Sequence, residues 1–270
     1  MIEKKIDFVS LFFFENLLRH QEITHFISTR TRGFSKSPFD SLNLGFHVAD
    51  NPEDVLNNRK RLASAIGIPL KSLTAARQIH SGNVTIVSEP LRGRGSTNHE
   101  DAIEASDAMV TDVPRICLIL LVADCVPMLF FDPVRNVIGV AHAGWKGTLE
   151  YIASKTVRAM ENGFGSSPHN IIVGMGPSIG PCCYEVGPEV IAQVRSIFPS
   201  GKEYILNESG DGKGYFDLWR ANLDQLLRAG IQRKNVEMAM KCTCHNPDLF
   251  FSYRHQKGET GRFGAGISIL

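Results

Sequence analysis

Residues 121–145, LVADCVPMLFFDPVRNVIGVAHAGW, consist of two apolar runs separated by DPVRN. Pro133 and Asn136 are residue types that favour tight turns. The runs on either side are short and rich in Val, Leu, Ile and Phe, which is typical of buried β-strands. The stretch therefore predicts a β-hairpin in the interior of the protein.

Two side chains that carry chemistry, Cys125 and His142, interrupt these apolar runs. If the loop has two or four residues centred on Val134 and Arg135, His142 pairs with Pro127. Cys125 then lies two residues further along that strand, so Cys125 and His142 share one face of the sheet. A three-residue loop would place them on opposite faces.

A thiol and an imidazole on one face are compatible with three arrangements. They form a Cys–His nucleophilic pair, they belong to a zinc site, or a buried cysteine packs as a small hydrophobe beside a hydrogen-bonded histidine. A zinc site needs a third ligand. His80, in RQIHSGNV at the mouth of the predicted strand NVTIV, is favoured over His47 and His245.

Helices and strands alternate loosely along the rest of the chain, which predicts an α/β (α+β) fold with a mixed sheet. No boundary divides the chain, so residues 1–270 are expected to form a single domain. Helices are predicted over residues 53–68, 148–165, 187–198 and 218–231. Strands are predicted at HFIS, NVTIVSE, DAMVTD, ICLILLVAD, NIIVGM, NVEMAM, DLFFSYR and GAGISIL.

The composition indicates a globular protein without a polyanionic partner. Hydrophobic residues make up 43% of the chain, and 29 Lys and Arg balance 28 Asp and Glu. This balance gives no reason to expect nucleic acid or an anionic membrane as partner. No targeting signal or membrane span is recognisable, and no obligate protein partner is evident. The six cysteines are expected to be free or metal-bound, as in a cytoplasmic protein.

The chain resembles the YfiH/YlmD family, also called the laccase-domain or polyphenol oxidase family, which includes the human FAMIN protein. The motifs that carry the resemblance span nearly the whole chain: STRTRGFS, SLNLGFHVADN, NNR, QIHSGNV, SDAMVTD, ADCVPMLFFD, GVAHAGWKGT, GPSIGPCCYEVG and CTCHNPDLFFSYRHQKGETGR. The resemblance implies a layered α/β/β/α sandwich.

It also implies a catalytic metal site of His80, Cys125 and His142. The metal is normally zinc, with copper as the less favoured choice. The implied activity is phosphorolysis of adenosine, inosine and methylthioadenosine, with phosphate as co-substrate, together with deamination of adenosine.

Three further residues match the family's motifs and are predicted to bind substrate. Arg59 and Arg254 are expected to hold the nucleoside or phosphate, since arginines grip phosphate well. Asn43, in SLNLG, is expected to bond a ribose hydroxyl or the edge of the base. The alternatives are structural ion pairs for the arginines and a turn for Asn43. Two departures from the family are Arg32, where Gly is usual, and the extra thiol of Cys244.

Other functions compete with this interpretation. GPSIG, residues 176–180, matches G-x-S-x-G and would make Ser178 a hydrolase nucleophile if a helix followed at once. A multicopper oxidase is disfavoured because the nine histidines include no H-x-H pair. A hydrolase that edits peptidoglycan precursors and a metal-binding module without catalysis stay as further alternatives.

Overall fold

The computed structural model describes residues 1–198 and 201–270, and its architecture is a layered α/β sandwich. One six-stranded sheet, here sheet 1, has the spatial order β1 (Ile2–Ile6), β2 (Val9–Phe13), β3 (Ile23–Ser28), β15 (Phe263–Ile269), β7 (Cys117–Val122), β4 (Leu73–Ala75). Sheet 2 has the order β14 (Val236–Met238), β10 (Ile172–Met175), β8 (Val126–Asp132), β9 (Val137–Ala143), β6 (Ala108–Thr111), β5 (Val84–Ile86). Both sheets are mixed, since each contains parallel and antiparallel pairs.

The remaining strands form a small third sheet in the order β11 (Glu185–Val186), β13 (Gly214–Phe216), β12 (Ile205–Leu206). The helices are α1 (Glu15–Leu18), α2 (Pro52–Ala65), α3 (Trp145–Leu149), α4 (Ile152–Phe164), α5 (Pro188–Ile197) and α6 (Leu218–Arg228). No helix in the described part of the chain combines the length and the apolar character that crossing a membrane requires.

The layers follow from which face of each sheet is apolar. Sheets 1 and 2 pack face to face through a shared core that includes Leu120 and Phe263 from sheet 1 and Val140 from sheet 2. Helix α2 covers the outer face of sheet 1, and helices α4, α5 and α6 cover the outer face of sheet 2. This arrangement confirms the expected α/β/β/α sandwich. Since sheet 2 is covered on both faces, every residue of β8 and β9 is buried.

The predicted hairpin of residues 121–145 is confirmed in its register. Strands β8 and β9 pair so that Asp132 faces Val137 and Pro127 faces His142, which leaves a four-residue loop. The carboxylate of Asp132 accepts hydrogen bonds from the backbone N–H groups of Val134 and Arg135. Asn136 has the positive φ of 54° that such a turn requires.

Helix predictions hold except in one place. Asn51 caps α2 by accepting a hydrogen bond from the Glu53 N–H, as Asn51-Pro52 predicted. The single helix expected over residues 148–165 is instead two, α3 and α4. Tyr151 separates them with a left-handed φ of 60°, a conformation that interrupts a right-handed helix.

One strand prediction is wrong, and one strand pair was not predicted. DLFFSYR, residues 248–254, forms turns and irregular backbone. Its Phe250 and Phe251 are both fully buried, so its apolar character serves packing against the sheets and not strand pairing. The N-terminal segment, which was not predicted as strands, forms the β1–β2 hairpin.

Candidate metal centre

The β8–β9 hairpin brings a thiol and an imidazole to one end of sheet 2. His142 is the penultimate residue of β9, and Cys125 directly precedes β8. Because Pro127 pairs with His142, Cys125 lies diagonally across from His142 on the same face. The predicted juxtaposition of these two side chains is therefore present.

A third potential ligand, His80, comes from the loop between β4 and β5. The ligand atoms of His80, Cys125 and His142 all lie within 4.8 Å of one another. His80 has a left-handed φ of 62°, which turns its ring towards the hairpin. Gly144 makes room for this approach, since a Cβ there would lie 2.9 Å from the His80 ring and 3.0 Å from the Cys125 sulfur.

Asp107, a buried carboxylate directly before β6, holds both histidines in place. One of its oxygens contacts His142 Nδ1 at 2.9 Å and accepts a hydrogen bond from the His80 backbone N–H. The other accepts from the Ile79 N–H and from both the N–H and the hydroxyl of Ser81. With Nδ1 occupied by Asp107, His142 is left to present Nε2 towards Cys125 and His80. Sequence reasoning missed Asp107, although it lies within the motif SDAMVTD.

The site favours an ionised sulfur. Burial opposes the charge, but the imidazoles of His142 and His80 outweigh it and lower the pKa of Cys125 to about 6. For His142, burial is likewise outweighed by the Cys125 thiolate and the Asp107 carboxylate, which raise its pKa to about 9. A divalent cation among these groups would take the place of the imidazolium proton, because metal ligands bind in their deprotonated forms.

These three side chains line a cavity of about 510 Å³. Its walls are largely apolar or aromatic, including Leu121, Trp145, Ile179, Tyr184, Leu218 and Tyr253. This size and character suit a small organic ligand with a flat ring. Trp145 both lines this cavity and packs against the core beside sheet 2.

Cationic and polar side chains complete the wall. Arg254, one of the predicted substrate residues, lines the cavity. Its guanidinium donates to the carbonyls of Cys183 at 3.0 Å and Glu185 at 2.9 Å, which leaves other N–H groups of the fork for a ligand. Arg262 also lines the cavity and was not singled out from the sequence, although it lies within the motif GETGR.

Asn43 and Arg59 lie behind the cavity wall and do not line it. The Asn43 amide accepts hydrogen bonds from the N–H groups of Arg262 and Gly45. The Arg59 guanidinium is fully buried and donates to the backbone carbonyls of Leu44, Gly95 and Ser96. Their part in substrate binding stays a prediction, and in this geometry it would be indirect, through the loops that they hold.

Ser178 lies in a turn that does not suit a hydrolase nucleophile. The side chain is fully buried, and its hydroxyl accepts a hydrogen bond of 2.7 Å from the Trp219 indole. No helix follows GPSIG directly, since the next one, α5, begins at Pro188. The strand–turn–helix elbow that exposes such a serine is therefore missing from this described segment.

Comparison with known proteins shows the family to which this chain belongs. Residues 24–270 match the family model described as "Multi-copper polyphenol oxidoreductase laccase". The purine nucleoside phosphorylase YlmD of Geobacillus stearothermophilus is 38% identical over 241 residues, which cover 89% of this chain and 88% of that protein. The chain belongs to this family.

Two further relatives support the assignment. Adenosine deaminase RL5, from an unknown prokaryotic organism, is 33% identical over 242 residues, covering 90% of this chain and 92% of that protein. The crystal structure of the Bacillus licheniformis protein YfiH superposes with a TM-score of 0.92 at 36% identity, covering 97% of this chain and 96% of that one. These relatives make the chain an enzyme of the YfiH/YlmD family.

The copper in the family description can be tested against the side chains present. A multicopper centre gathers several histidines around its metal ions. Over residues 1–198 and 201–270, the groups that could hold a metal contain two histidines in one case and one in the other. One thiolate and two imidazoles, with a carboxylate behind one imidazole, are donor types that zinc accepts.

Proposed function

We propose that residues 1–270 act as one zinc-dependent enzyme domain, a purine nucleoside phosphorylase acting on adenosine, inosine and methylthioadenosine, with a second activity as an adenosine deaminase. The observation that carries the proposal is the meeting of His80, Cys125 and His142 at the wall of a cavity that also holds arginines. The names of the relatives, purine nucleoside phosphorylase and adenosine deaminase, support the same reactions.

A metal fits this site better than a Cys–His nucleophilic pair does. A nucleophilic thiol needs one imidazole as its base, whereas here two imidazoles approach the same sulfur. Zinc held by three protein ligands would supply a Lewis acid. We propose His80, Cys125 and His142 as its ligands, with Asp107 fixing the orientation of His142 and the loop that carries His80.

The chain's own side chains would bind and orient the two substrates. Trp145 and Tyr184 offer flat apolar surfaces on which a purine base can stack. Arg254 and Arg262 offer planar guanidinium groups that suit bidentate binding of phosphate. His47 also lines the cavity, and burial together with Arg262 lowers its pKa to about 3. It is therefore neutral and suited to exchange a hydrogen bond with a sugar hydroxyl or the base.

The deciding experiment is product analysis with adenosine, with and without inorganic phosphate, on protein of known metal content. Phosphorolysis yields adenine and ribose 1-phosphate only when phosphate is present. Deamination yields inosine and ammonia in either case. Formation of neither product by zinc-loaded protein would contradict the proposal and favour a metal-binding module or a different substrate, such as a peptidoglycan precursor.

Elemental analysis of protein never exposed to chelator tests the metal separately. We expect zinc, and its removal with a chelator should abolish turnover until zinc is restored. Stoichiometric copper with activity only in the copper-loaded protein would contradict the choice of metal while leaving the site itself intact.

A further inference from the structure

A second group of metal-binding side chains lies outside the site described above. The ligand atoms of Cys182, Cys183, Cys242 and His245 all lie within 4.8 Å of one another. His245 approaches both neighbouring thiols, with its Nε2 3.1 Å from the Cys183 sulfur and its Nδ1 3.6 Å from the Cys182 sulfur. The proposed reaction uses none of these side chains.

Two loops that are far apart in sequence build this group. Ser178 and Cys242 form a parallel β-bridge, in which Ser178 N–H donates to the carbonyl of Lys241 and Thr243 N–H donates to that of Ser178. The Gly180 N–H donates to the Cys242 sulfur at 3.2 Å, as backbone amides do for sulfur ligands of metals. The backbone bonds of the bridge hold both loops in register without any contribution from the thiols.

A turn allows the adjacent residues Cys182 and Cys183 to direct both sulfurs towards the same position. Successive side chains of a strand point to opposite faces, but residues 181–183 form a turn, and both sulfurs lie beside the His245 ring. A disulfide would use two sulfurs and leave the third cysteine and the histidine without a role. Three sulfurs and one imidazole are instead a complete ligand set for tetrahedral zinc.

The spacing also matches zinc. With Zn–S bonds of about 2.3 Å, the sulfurs of a tetrahedral site lie about 3.8 Å apart. The ligand atoms here are all within 4.8 Å of one another, so small side-chain rotations suffice. Cys182 and His245 are exposed, whereas Cys242 is buried, so the group is open to an ion from solvent and anchored in the protein.

We propose that Cys182, Cys183, Cys242 and His245 bind a second zinc ion. Its four protein ligands leave no open position, which makes the site structural. Its role is to fix the turn whose carbonyls, those of Cys183 and Glu185, hold the guanidinium of Arg254 at the cavity wall. The number of bound ions does not depend on which reaction the first site performs.

Metal counting on the full-length chain tests this proposal. The wild-type protein should hold about two zinc ions per chain. A chain with His80→Ala and Cys125→Ala should hold about one, and so should a chain with Cys182→Ser and Cys242→Ser. A chain with all four substitutions should hold none. Equal zinc content in the wild type and in the Cys182→Ser, Cys242→Ser chain would overturn the proposal.

Cobalt replacement identifies which ligands remain, because thiolate-to-cobalt charge-transfer absorption grows with the number of sulfur ligands. The His80→Ala, Cys125→Ala chain should keep the strong absorption of a three-sulfur site. The Cys182→Ser, Cys242→Ser chain should keep only the weaker absorption of a one-sulfur site. A disulfide among Cys182, Cys183 and Cys242, found by mass spectrometry in protein purified without oxidant, would contradict the proposal.

A milder variant covers the case in which the cysteine variants fail to fold. His245→Ala removes an exposed ligand and leaves the buried sulfur in place. In competition with a chromophoric chelator, this variant should bind one of its two zinc ions at least tenfold more weakly than the wild type does. His169→Ala, which removes an exposed histidine elsewhere, should release zinc as the wild type does. Identical release by both variants would count against the proposal.

Discussion

The sulfur of Cys125 is the only thiol among the three proposed ligands of the first site. Cys125→Ala should abolish binding of that zinc and lower turnover of adenosine by orders of magnitude, because two imidazoles alone hold the ion poorly. The fold should survive, since the cavity left by a thiol costs about 1 kcal/mol. Zinc content, product formation and urea unfolding of the same preparation measure these effects.

Cys117→Ala is the matched control for this change. It makes the same substitution at a fully buried position of β7, outside both groups that could hold a metal. We expect Cys117→Ala to lose about as much stability as Cys125→Ala does, and to keep its zinc and its turnover of adenosine. Turnover by Cys125→Ala at the wild-type rate would exclude Cys125 as an essential ligand.

Asp107 would act on the proposed zinc through the two histidines, since it contacts the His142 ring and the His80 backbone. Asp107→Asn keeps the shape of the side chain, but its amide nitrogen would face N–H donors, because both carboxylate oxygens accept them. Zinc affinity at the first site should fall by about 10- to 100-fold, measured by competition with a chelator.

Asp132→Asn provides the control for Asp107→Asn. Asp132 is buried at the turn of the β8–β9 hairpin, at the opposite end from Cys125 and His142, where one carboxylate oxygen accepts from the turn. Its other oxygen has no hydrogen-bond partner among the described residues, so an amide nitrogen fits there without opposing a donor. Equal zinc affinity in both variants would show that Asp107 does not position the ligands.

Replacing Arg254 distinguishes a role in substrate binding from a role in metal binding. Arg254→Ala removes no proposed ligand side chain, and the Arg254 guanidinium contacts the backbone carbonyl of Cys183 and not its sulfur, so the zinc content should be unchanged. If Arg254 binds phosphate, the KM for phosphate should rise while deamination is largely spared. Steady-state kinetics of both reactions measure this, and equal loss of both with zinc retained would mean that Arg254 serves the nucleoside instead.

At the scale of elements, the loop after β3 holds Arg32 in an unfavourable backbone conformation. Arg32 is exposed and has a φ of 66°, in the left-handed region that disfavours residues with a Cβ. The Gly that the family resemblance leads us to expect there would adopt it freely. Arg32→Gly should therefore raise the free energy of unfolding by about 1 kcal/mol, measured by urea unfolding.

Arg32→Ala isolates the backbone contribution. It removes the long side chain and keeps the Cβ, and it leaves the Arg32 carbonyl free to accept its hydrogen bond from Arg61. We expect little gain in stability. An equal gain from Ala and Gly would assign the effect to the arginine side chain and not to the left-handed backbone.

At the scale of the whole molecule, the buried His25 in sheet 1 makes the free energy of unfolding depend on pH. His25 is 2% exposed, and its Nε2 accepts the Phe14 N–H at 2.9 Å. Burial, aided by the charge of Lys4, lowers its pKa to about 3, against about 6.5 in the unfolded chain. The unfolded state thus binds more protons between these values. The stability contributed by neutral His25 is complete above about pH 6.5 and is lost progressively below it.

His25→Gln keeps an acceptor for the Phe14 N–H and cannot be protonated. The free energy of unfolding of the wild type should fall more steeply than that of this variant as the pH drops from about 7 to about 4, by up to about 1.4 kcal/mol per pH unit. Urea unfolding of zinc-free protein at each pH removes the contribution of the metal. Parallel pH profiles would show that His25 does not cause the acid sensitivity.

Local pattern was enough to predict much of the molecule. The turn residues and alternation predicted that Cys125 and His142 share one face if the loop has two or four residues, because side-chain direction in a hairpin depends only on the loop and on a period of two. The Asn51 cap of α2 depends equally on neighbours in sequence. The same reasoning was wrong for DLFFSYR. Phe250 and Phe251 are buried against the sheets, but the segment that carries them does not pair as a strand.

By itself, the sequence determined the hairpin, most helices and, through its motifs, the family and the three proposed ligands of the first site. Only the tertiary structure decided that Asp107 holds both histidines, that Arg262 lines the cavity while Arg59 does not, and that Cys182 and Cys242 meet. Each of these contacts joins segments far apart in sequence. Their distances are set by how the sheets and loops pack, and no local pattern of residues contains that information.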